Sequence, residues 1–230
     1  MNIEPIAYFH SPLTAKFGVP RQSGLAPDLP GRIVLVPEFR NTDALRGLEG
    51  FDYLWLIWGF SANRTEARGA TVRPPRLGGN ERVGVFASRS PFRPNGMGLS
   101  AVKIEKVETT TDCGPVIHVK GADLMDGTPI YDIKPYVAYA DSHPKAKGGF
   151  TDNRTWSTLE VAFADGLDCC FSESELKALK QLLAQDPRPH YHDDAERIYG
   201  MDYAGRNVRF KVAGTTLTVV NVEKSETEIC

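Results

Sequence analysis

The sequence is poor in cysteine, in long apolar runs and in net charge. The four cysteines are Cys113, Cys169, Cys170 and Cys230. They form no C-x-x-C pair and have no histidine at ligand spacing, so we expect reduced thiols and no metal site. The most apolar stretch, residues 51–60, is much shorter than the roughly 20 residues that cross a bilayer. The N-terminus carries neither the basic start nor the apolar segment of a secretory signal, so we expect a cytoplasmic protein without membrane association.

Several common catalytic motifs are also missing. The chain contains no G-x-x-x-x-G-K-[ST] phosphate loop, no G-x-S-x-G nucleophile elbow and no glycine-rich turn of a dinucleotide-binding fold. The formal charge of -2 argues against a uniformly cationic nucleic-acid coat, although it permits a local basic patch. An apolar fraction of 41% and a charged fraction of 24% are ordinary for a folded soluble protein. They exclude a disordered chain, a collagen and a membrane bundle.

Short β-rich runs dominate the first 140 residues, and glycine, proline, asparagine or aspartate separates most of them. These runs cover residues 3–9, 33–36, 53–60, 83–87, 101–107 and 116–119. Their spacing predicts a closed or sandwiched sheet rather than βαβ repeats. Residues 41–48 are the one candidate helix in this part, with Thr42 as its cap. We therefore expect a mainly β fold over residues 1–140.

The composition changes after residue 140. Residues 141–155 are polar and contain glycine and proline, which indicates a linker. The region 156–230 then combines a strand at 157–163, a helix and a hairpin of strands at 208–212 and 216–220. Ser172 and Glu175 form a capping-box pattern at the start of the helix, and Asp186-Pro187 ends it. This predicts a smaller α/β C-terminal region.

Positive charge is concentrated between Arg64 and Arg93. This segment has seven arginines, no lysine and two acidic residues, which leaves the remainder of the chain clearly acidic. Such segregation indicates a polyanionic partner or a phosphate-rich ligand, and arginine without lysine favours planar, bidentate recognition. The alternative is a solvated charged face. Because Pro74-Pro75 and Leu77-Gly78-Gly79 divide the segment into rigid loops, we favour a functional surface.

Three further segments carry residue types suited to a binding site. Arg21 and Gln22, in the loop after the first strand, suit a carboxylate or a purine edge, with an ordinary surface ion pair as the alternative. Residues 87–100 contain glycines, prolines and an asparagine, which is typical of a loop whose backbone approaches a ligand. Residues 121–136 place three aspartates and one lysine close together. They form either a plain hairpin corner or an acid–base site.

Read together, these segments resemble the TsaA-like family of TrmO-type tRNA methyltransferases. The resemblance extends over nearly the whole chain and rests on long motifs in a fixed order. In the first part these are Phe17-Gly-Val-Pro-Arg-Gln22, Gly47-Leu-Glu-Gly-Phe51, Thr71-Val-Arg-Pro-Pro-Arg-Leu-Gly-Gly-Asn80, Gly84-Val-Phe-Ala-Ser-Arg-Ser90, Phe92-Arg-Pro-Asn95, Asp126-Gly-Thr-Pro129 and Asp132-Ile-Lys-Pro-Tyr136. In the C-terminal region they are Gln185-Asp-Pro-Arg-Pro189, Tyr191 and Asn207-Val-Arg209.

The resemblance implies a β-barrel that binds S-adenosylmethionine without a Rossmann-type fold, in a homodimer. It also implies N6-methylation of the threonylcarbamoyl-adenosine at position 37, next to the anticodon of tRNA. The residues that correspond to cofactor contacts are Pro20, Arg21, Gln22, Ser61, Ala62, Arg89, Leu99, Asp123, Leu124, Met125 and Asp126. Two positions depart from the family pattern. Ser61-Ala62 replaces a histidine followed by a polar residue, and Asn95-Gly-Met-Gly98 replaces Asn-Pro-Ile-Gly.

We expect Asp126 to act as the catalytic carboxylate. It would accept a hydrogen of the weakly nucleophilic adenine amino group and stabilise the positive charge that develops there. Lys134 would orient Asp126 or meet the threonyl carboxylate. Candidate RNA contacts are Arg73, Arg76, Arg93 and the stacking residue Tyr136. In the C-terminal region, Arg188, Arg206 and Arg209 suggest a contribution to tRNA binding.

Two other functions are compatible with parts of the pattern. A non-catalytic RNA-binding barrel would need the arginine-rich segment but not the carboxylates of residues 123–132. A methyltransferase for a small-molecule acceptor would not need the arginine-rich segment, and its activity would depend little on salt.

Overall fold

The computed structural model describes residues 2–62, 69–74, 81–152, 157–189 and 194–225. Its larger unit is a closed barrel of six strands in the order β1-β2-β7-β6-β3-β8, with every neighbouring pair antiparallel. The strands are β1 (Ala7–His10), β2 (Pro30–Leu35), β3 (Tyr53–Gly59), β6 (Met97–Thr110), β7 (Gly114–Lys120) and β8 (Thr128–Pro135). Closure leaves this sheet no free edge.

Alternation of side chains along the strands builds the barrel interior. On β3, Leu54, Leu56 and Trp58 are buried in the core, whereas Tyr53 is exposed on the outer face. Each of the other five barrel strands also contributes to this core, for example through Phe9, Ile33, Val102, Ile117 and Ile130. The predicted mainly β barrel is confirmed.

A second unit packs one helix on a four-stranded sheet. The sheet order is β10 (Tyr199–Tyr203), β11 (Arg206–Ala213), β12 (Thr216–Lys224) and β9 (Glu160–Phe163), with β9 parallel to β12. The helix α2 (Glu173–Ala184) begins with a complete capping box between Ser172 and Glu175, as its sequence predicts. Its buried leucines cover the sheet.

The long connection between β1 and β2, residues 11–29, joins the two units. Leu13, Ala26 and Leu29 are buried in the core of the helix and the second sheet, not in the barrel core. Side-chain hydrogen bonds add to this contact, since the Gln181 amide accepts from the Asp28 backbone N–H at 2.9 Å and donates to the Asp28 carboxylate at 2.6 Å. The division into residues 1–140, 141–155 and 156–230 stays a prediction. The connection 11–29 belongs to the first predicted domain but contributes side chains to the core of the second unit.

Several local elements differ from their sequence-based predictions. The candidate helix at 41–48 is a single 3-10 turn, Thr42–Leu45, capped by the side chain of Asn41 instead of Thr42. The run at 83–87 contains only the two-residue strand β5 (Val83–Gly84), paired with β4 (Thr71–Val72), before the chain turns. The segment 141–155 contains the end of the short helix α1 (Ala138–Asp141) and a 3-10 turn, Gly149–Thr151.

Within the described ranges, no helix is long and apolar enough to cross a membrane. Within those ranges we also find no group of three or more His, Cys, Asp or Glu side chains that could hold a metal ion.

Candidate functional site

One end of the barrel gathers the predicted cofactor segments. Because neighbouring strands are antiparallel, β1, β3 and β7 end where β2, β6 and β8 begin. The connections at this end are therefore residues 11–29, 60–96 and 121–127. Backbone hydrogen bonds join two of them, from Gly24 to Gly121 at 2.8 Å and from Asp126 to Leu13 at 2.8 Å. We call this end of the barrel the loop end.

Asp123 lies at the loop end and is the final acceptor in a buried relay of two hydrogen bonds. The Trp58 indole N–H donates to the Ser100 hydroxyl at 3.0 Å, and that hydroxyl donates to Asp123 Oδ1 at 2.5 Å. An indole can only donate, so the hydroxyl accepts from it and has one proton left, which it gives to the carboxylate. The order of the relay is therefore fixed by the chemistry of its three members.

Burial raises the pKa of Asp123 above its ordinary value. The Ser100 hydroxyl, the Ser23 backbone N–H and the positive charge of Arg89 oppose this effect without cancelling it. A largely buried carboxylate that faces the 11–29 connection is a strong acceptor for hydroxyl or ammonium donors of a ligand.

Arg21, Gln22 and Arg89 also lie together at the loop end. The Arg89 guanidinium donates to the side-chain oxygen of Gln22, and the Gln22 amide donates to the Arg21 carbonyl at 2.5 Å. Arg21 in turn donates to the backbone carbonyl of Asp186 at 3.1 Å. The 60–96 connection is thereby linked through the 11–29 connection to the C-terminal region.

Asp126 occupies the same end, beside the start of β8. Its Oδ1 accepts the backbone N–H of Ser11 at 3.0 Å and lies 3.3 Å from Nδ1 of His10. Its side chain is about one third exposed, and its Oδ2 has no hydrogen-bond partner within the described part of the chain. This oxygen therefore has the capacity to accept a hydrogen bond from a ligand. The sequence-based reasoning did not identify His10 as a neighbour of Asp126.

The remaining predicted cofactor residues differ in how their side chains can take part. Pro20 and Leu124 are buried, and Leu124 packs in the barrel core, so only its backbone is available to a ligand. Ser61, Ala62 and Leu99 are exposed. The Met125 carbonyl accepts from the Thr128 hydroxyl at 2.8 Å and so stabilises the turn into β8.

Lys134 and Tyr136 lie at the opposite end of the barrel. The strand β8 begins at Thr128, after the turn that contains Asp126, and Lys134 lies six residues along it. Six strand residues span about 20 Å. Its ammonium group pairs with Asp132 at 2.7 Å instead. Tyr136 packs on Trp55, with ring centroids 5.6 Å apart, on the outer barrel face. Within one protomer the structure therefore does not bring Lys134 to Asp126, because most of the length of β8 lies between them.

The predicted RNA contacts Arg73 and Arg93 belong to the 60–96 connection, and Arg76 lies outside the described residues. Across the described ranges, no carboxylate oxygen lies within 4.0 Å of the guanidinium groups of Arg73, Arg89 or Arg93. Phe86 and Phe92, which flank Arg89, are 80% and 45% exposed. Positive charge and aromatic surface therefore occur together in this connection.

Sequence-based reasoning assigned no role to the side chains of Trp58, Ser100 and Asp186. A tryptophan inside an apolar strand and a serine beside a strand glycine are indistinguishable from ordinary strand residues. Only the Asp-Pro-Arg-Pro signature around Asp186 was visible in the sequence, and it had no assigned chemistry.

The chain is similar to known methyltransferases over nearly its whole length. The family model described as the tRNA-methyltransferase O N-terminal domain matches residues 8–142, and the TrmO C-terminal domain model matches residues 157–225. The tRNA (adenine(37)-N6)-methyltransferase of Escherichia coli K12 is 37% identical, over 96% of this chain and 97% of that protein. A Pseudomonas aeruginosa protein, named as a candidate S-adenosylmethionine-dependent methyltransferase, is 39% identical over 87% of both chains.

The fold is similar to solved structures as well. The crystal structure of TrmO from Pseudomonas aeruginosa superposes with a TM-score of 0.78 at 30% identity, covering 96% of this chain and 97% of that chain. A second TrmO crystal structure gives a TM-score of 0.80 at 32% identity, over 97% of this chain and 99% of that one.

Proposed function

The chain belongs to the TrmO family of tRNA methyltransferases, and on that premise we propose that it methylates N6 of adenine 37 in tRNA with S-adenosylmethionine. The observation that carries the proposal is the convergence of residues 20–22, Arg89 and residues 123–126 at the loop end. These segments are far apart in the sequence, and the antiparallel barrel brings all of them to one place. The position next to the anticodon and the threonylcarbamoyl group on the base are part of the same proposal.

The residues at the loop end fit S-adenosylmethionine by their donor and acceptor chemistry. This cofactor presents hydroxyl, amino and ammonium donors, and the loop end offers the Asp123 carboxylate and the backbone carbonyl groups of Asp123, Leu124 and Asp126. Pro20, Arg21 and Gln22 would form the other wall. When bound, the cofactor supplies an electrophilic methyl group, so alignment with the acceptor nitrogen dominates the catalysis.

Asp126 is our proposal for the carboxylate that faces the adenine amino group. Its Oδ1 is held by Ser11, which leaves Oδ2 to accept a hydrogen of that amino group. Such an acceptor orients the nitrogen lone pair and stabilises the charge that develops as the methyl group is transferred. Because Lys134 lies at the other end of the same protomer, it is not part of this proposed step.

The arginines of the 60–96 connection support an RNA substrate. Guanidinium groups without a carboxylate partner are available for phosphates, and exposed aromatic rings stack on unpaired bases. We propose that Arg73, Arg93 and the flanking rings of Phe86 and Phe92 contact the anticodon loop. Arg76 belongs to the same proposal by its position in the sequence.

We also propose that the protein forms a homodimer and that it is located in the cytoplasm, where its tRNA substrate occurs. The dimer is supported by the outer face of β3, where Tyr53, Trp55 and Tyr136 form an aromatic cluster. Leu99, on the strand next to it, is 56% exposed. Exposed apolar and aromatic side chains of this kind are typical of a protein–protein contact.

The test is transfer of labelled methyl from S-adenosylmethionine to two tRNA pools, one with and one without threonylcarbamoyl-adenosine, followed by mass spectrometry of nucleosides. We expect methylation of the first pool only, with activity that falls steeply as salt rises. Methylation of both pools would contradict the requirement for threonylcarbamoyl. Bound cofactor without transfer to either pool would contradict a tRNA substrate.

A further inference from the structure

The Gln185-Asp-Pro-Arg-Pro189 motif of the C-terminal region has no role in the function proposed above. It follows the end of α2, and its first three residues, 185–187, line one wall of a cleft. The opposite wall is residues 16–21, the first part of the proposed cofactor loop. The motif therefore lies directly against the segment that leads into Pro20, Arg21 and Gln22.

Asp186 has an unusual backbone conformation that its own side chain stabilises. Its φ of 49° lies in the left-handed region, which costs energy for a residue with a Cβ. The carboxylate accepts two bonds from the Arg188 guanidinium, at 2.8 and 2.9 Å, and one from the Arg188 backbone N–H at 3.3 Å. The two side chains are only 13% and 20% exposed, so this fork is largely shielded from water.

The consequence of this fork is a fixed direction for the Asp186 carbonyl. That carbonyl accepts the hydrogen bond from Arg21 at 3.1 Å. Arg21 is itself bound through its own carbonyl to Gln22, which receives Arg89. A continuous chain of hydrogen bonds thus extends from Arg188, through Asp186, to the residues of the proposed cofactor site.

Packing against the C-terminal sheet also fixes the start of the cofactor loop, residues 16–21. Phe17 stacks on Phe210 of β11 with ring centroids 6.5 Å apart. Gly18 has a φ of 94°, and a methyl group built on it would overlap Met201 of β10. The cofactor loop therefore rests on the C-terminal sheet as well as on the barrel, and its position depends on both.

We propose that Asp186 and Arg188 are positioning residues for the cofactor loop, and that the C-terminal region thereby sets the affinity for S-adenosylmethionine. This rests on the proposed function, in which residues 20–22 bind that cofactor. It gives the C-terminal region a role different from tRNA binding. In agreement with this, the arginines expected to bind tRNA each face a carboxylate, Arg188 with Asp186, Arg206 with Glu175 and Arg209 with Glu223.

The experiment measures two affinities separately for Arg188→Ala in the full chain. Binding of S-adenosylmethionine is measured by calorimetry without tRNA, and binding of tRNA by filter retention without cofactor. Arg209→Ala is the matched control, since it also breaks an arginine–carboxylate pair of the C-terminal region but lies on the sheet. Arg188→Lys keeps the charge and one hydrogen bond, so it serves as the second variant if Arg188→Ala does not fold.

We expect Arg188→Ala to weaken cofactor binding about tenfold, which corresponds to the loss of one charge-assisted hydrogen bond. Arg188→Lys should recover part of this loss, whereas tRNA affinity and the Arg209→Ala control stay within about twofold of wild type. In a double-mutant cycle, Arg21→Ala and Arg188→Ala should be non-additive, because they break the same chain. Hydrogen exchange of residues 16–24 should become faster only in the Arg188 variants.

Two results would overturn the proposal. One is unchanged cofactor affinity with weaker tRNA binding, which would make Arg188 an RNA contact. The other is additive effects of Arg21→Ala and Arg188→Ala. Failure of the proposed function has a different signature: the wild-type chain would bind S-adenosylmethionine but transfer no methyl to tRNA, or would not bind the cofactor at all.

Discussion

Replacing Asp123 by asparagine should stabilise the protein and at the same time weaken its cofactor site. Asparagine has nearly the same shape, and its amide oxygen can keep the hydrogen bond from Ser100. The substitution removes a buried negative charge whose surroundings do not fully compensate for burial, since the pKa of Asp123 is raised. We expect the free energy of unfolding at pH 7.5 to rise by about 1 kcal/mol, typical of a neutralised functional site.

The stability gain of Asp123→Asn should depend on pH, and the direction of the pKa shift sets the sign of that dependence. The folded state binds the Asp123 proton more tightly than the unfolded chain, because the folded pKa is the higher one. The proton therefore favours folding at low pH, and that contribution is lost as the pH rises through the folded pKa. The advantage of Asp123→Asn should be present above the folded pKa and vanish below the ordinary pKa of about 3.9.

Urea titrations over a range of pH measure this advantage, and the melting temperature should rise by about 2–4 °C per kcal/mol at this chain length. Calorimetry should show at least about tenfold weaker binding of S-adenosylmethionine, since an amide replaces the acceptor carboxylate. Asp165→Asn, which neutralises an exposed carboxylate, is the control. Lower stability of Asp123→Asn at pH 7.5, or a gain that does not change with pH, would refute the reasoning.

Three further predictions concern the barrel. Ser100→Ala leaves the Trp58 indole and Asp123 without their shared hydrogen-bond partner, so the free energy of unfolding in urea should fall by about 2–3 kcal/mol. A fall below about 0.5 kcal/mol would contradict this and would mean that water replaces the hydroxyl. Gly98→Ala puts a methyl group against the Trp58 ring and should cost about 1–3 kcal/mol, whereas Gly84→Ala enters open space and should stay within about 0.5 kcal/mol; equal effects would contradict the overlap. Hydrogen bonds from the Val137 backbone N–H and, second, from the Trp55 indole lower the pKa of Asp141. The stabilisation that the Asp141 carboxylate provides should therefore disappear as pH falls through that lowered pKa, and Asp141→Asn should remove this pH dependence. An unchanged dependence of unfolding free energy on pH in Asp141→Asn would contradict the prediction.

Local patterns predicted the elements whose signals are complete within a few residues. The capping box at Ser172 and the helical spacing of the following leucines located α2 because both patterns depend only on helix geometry. The strand β3 was predicted because residues 53–60 form a short run of aromatic and aliphatic side chains, a composition that favours strands. The missed strand β8 contains Pro129, Asp132 and Lys134, whose low strand propensity is overcome by pairing with β1 and β3 on both sides.

The sequence also predicted which segments form the site, because long motifs in a fixed order identify residues 17–22, 84–95 and 126–136 independently of the fold. Their spatial arrangement was not. Asp126 and Lys134 are close in sequence, but an extended strand separates them, whereas Asp123 and Ser23 are 100 positions apart and in contact. Sequence distance predicts proximity only within turns and helices, and this site is built on strands.

The sequence by itself determined the fold class, the family and the residue types that carry the chemistry, because each depends on short-range patterns or ordered motifs. Only the tertiary structure decided which of those residues act together. Closure of the barrel brought three connections to one end and buried Asp123 behind Ser100 and Trp58. Packing of the 11–29 connection on the second sheet placed Asp186 against Arg21. Both outcomes depend on contacts between distant segments, which no local pattern specifies.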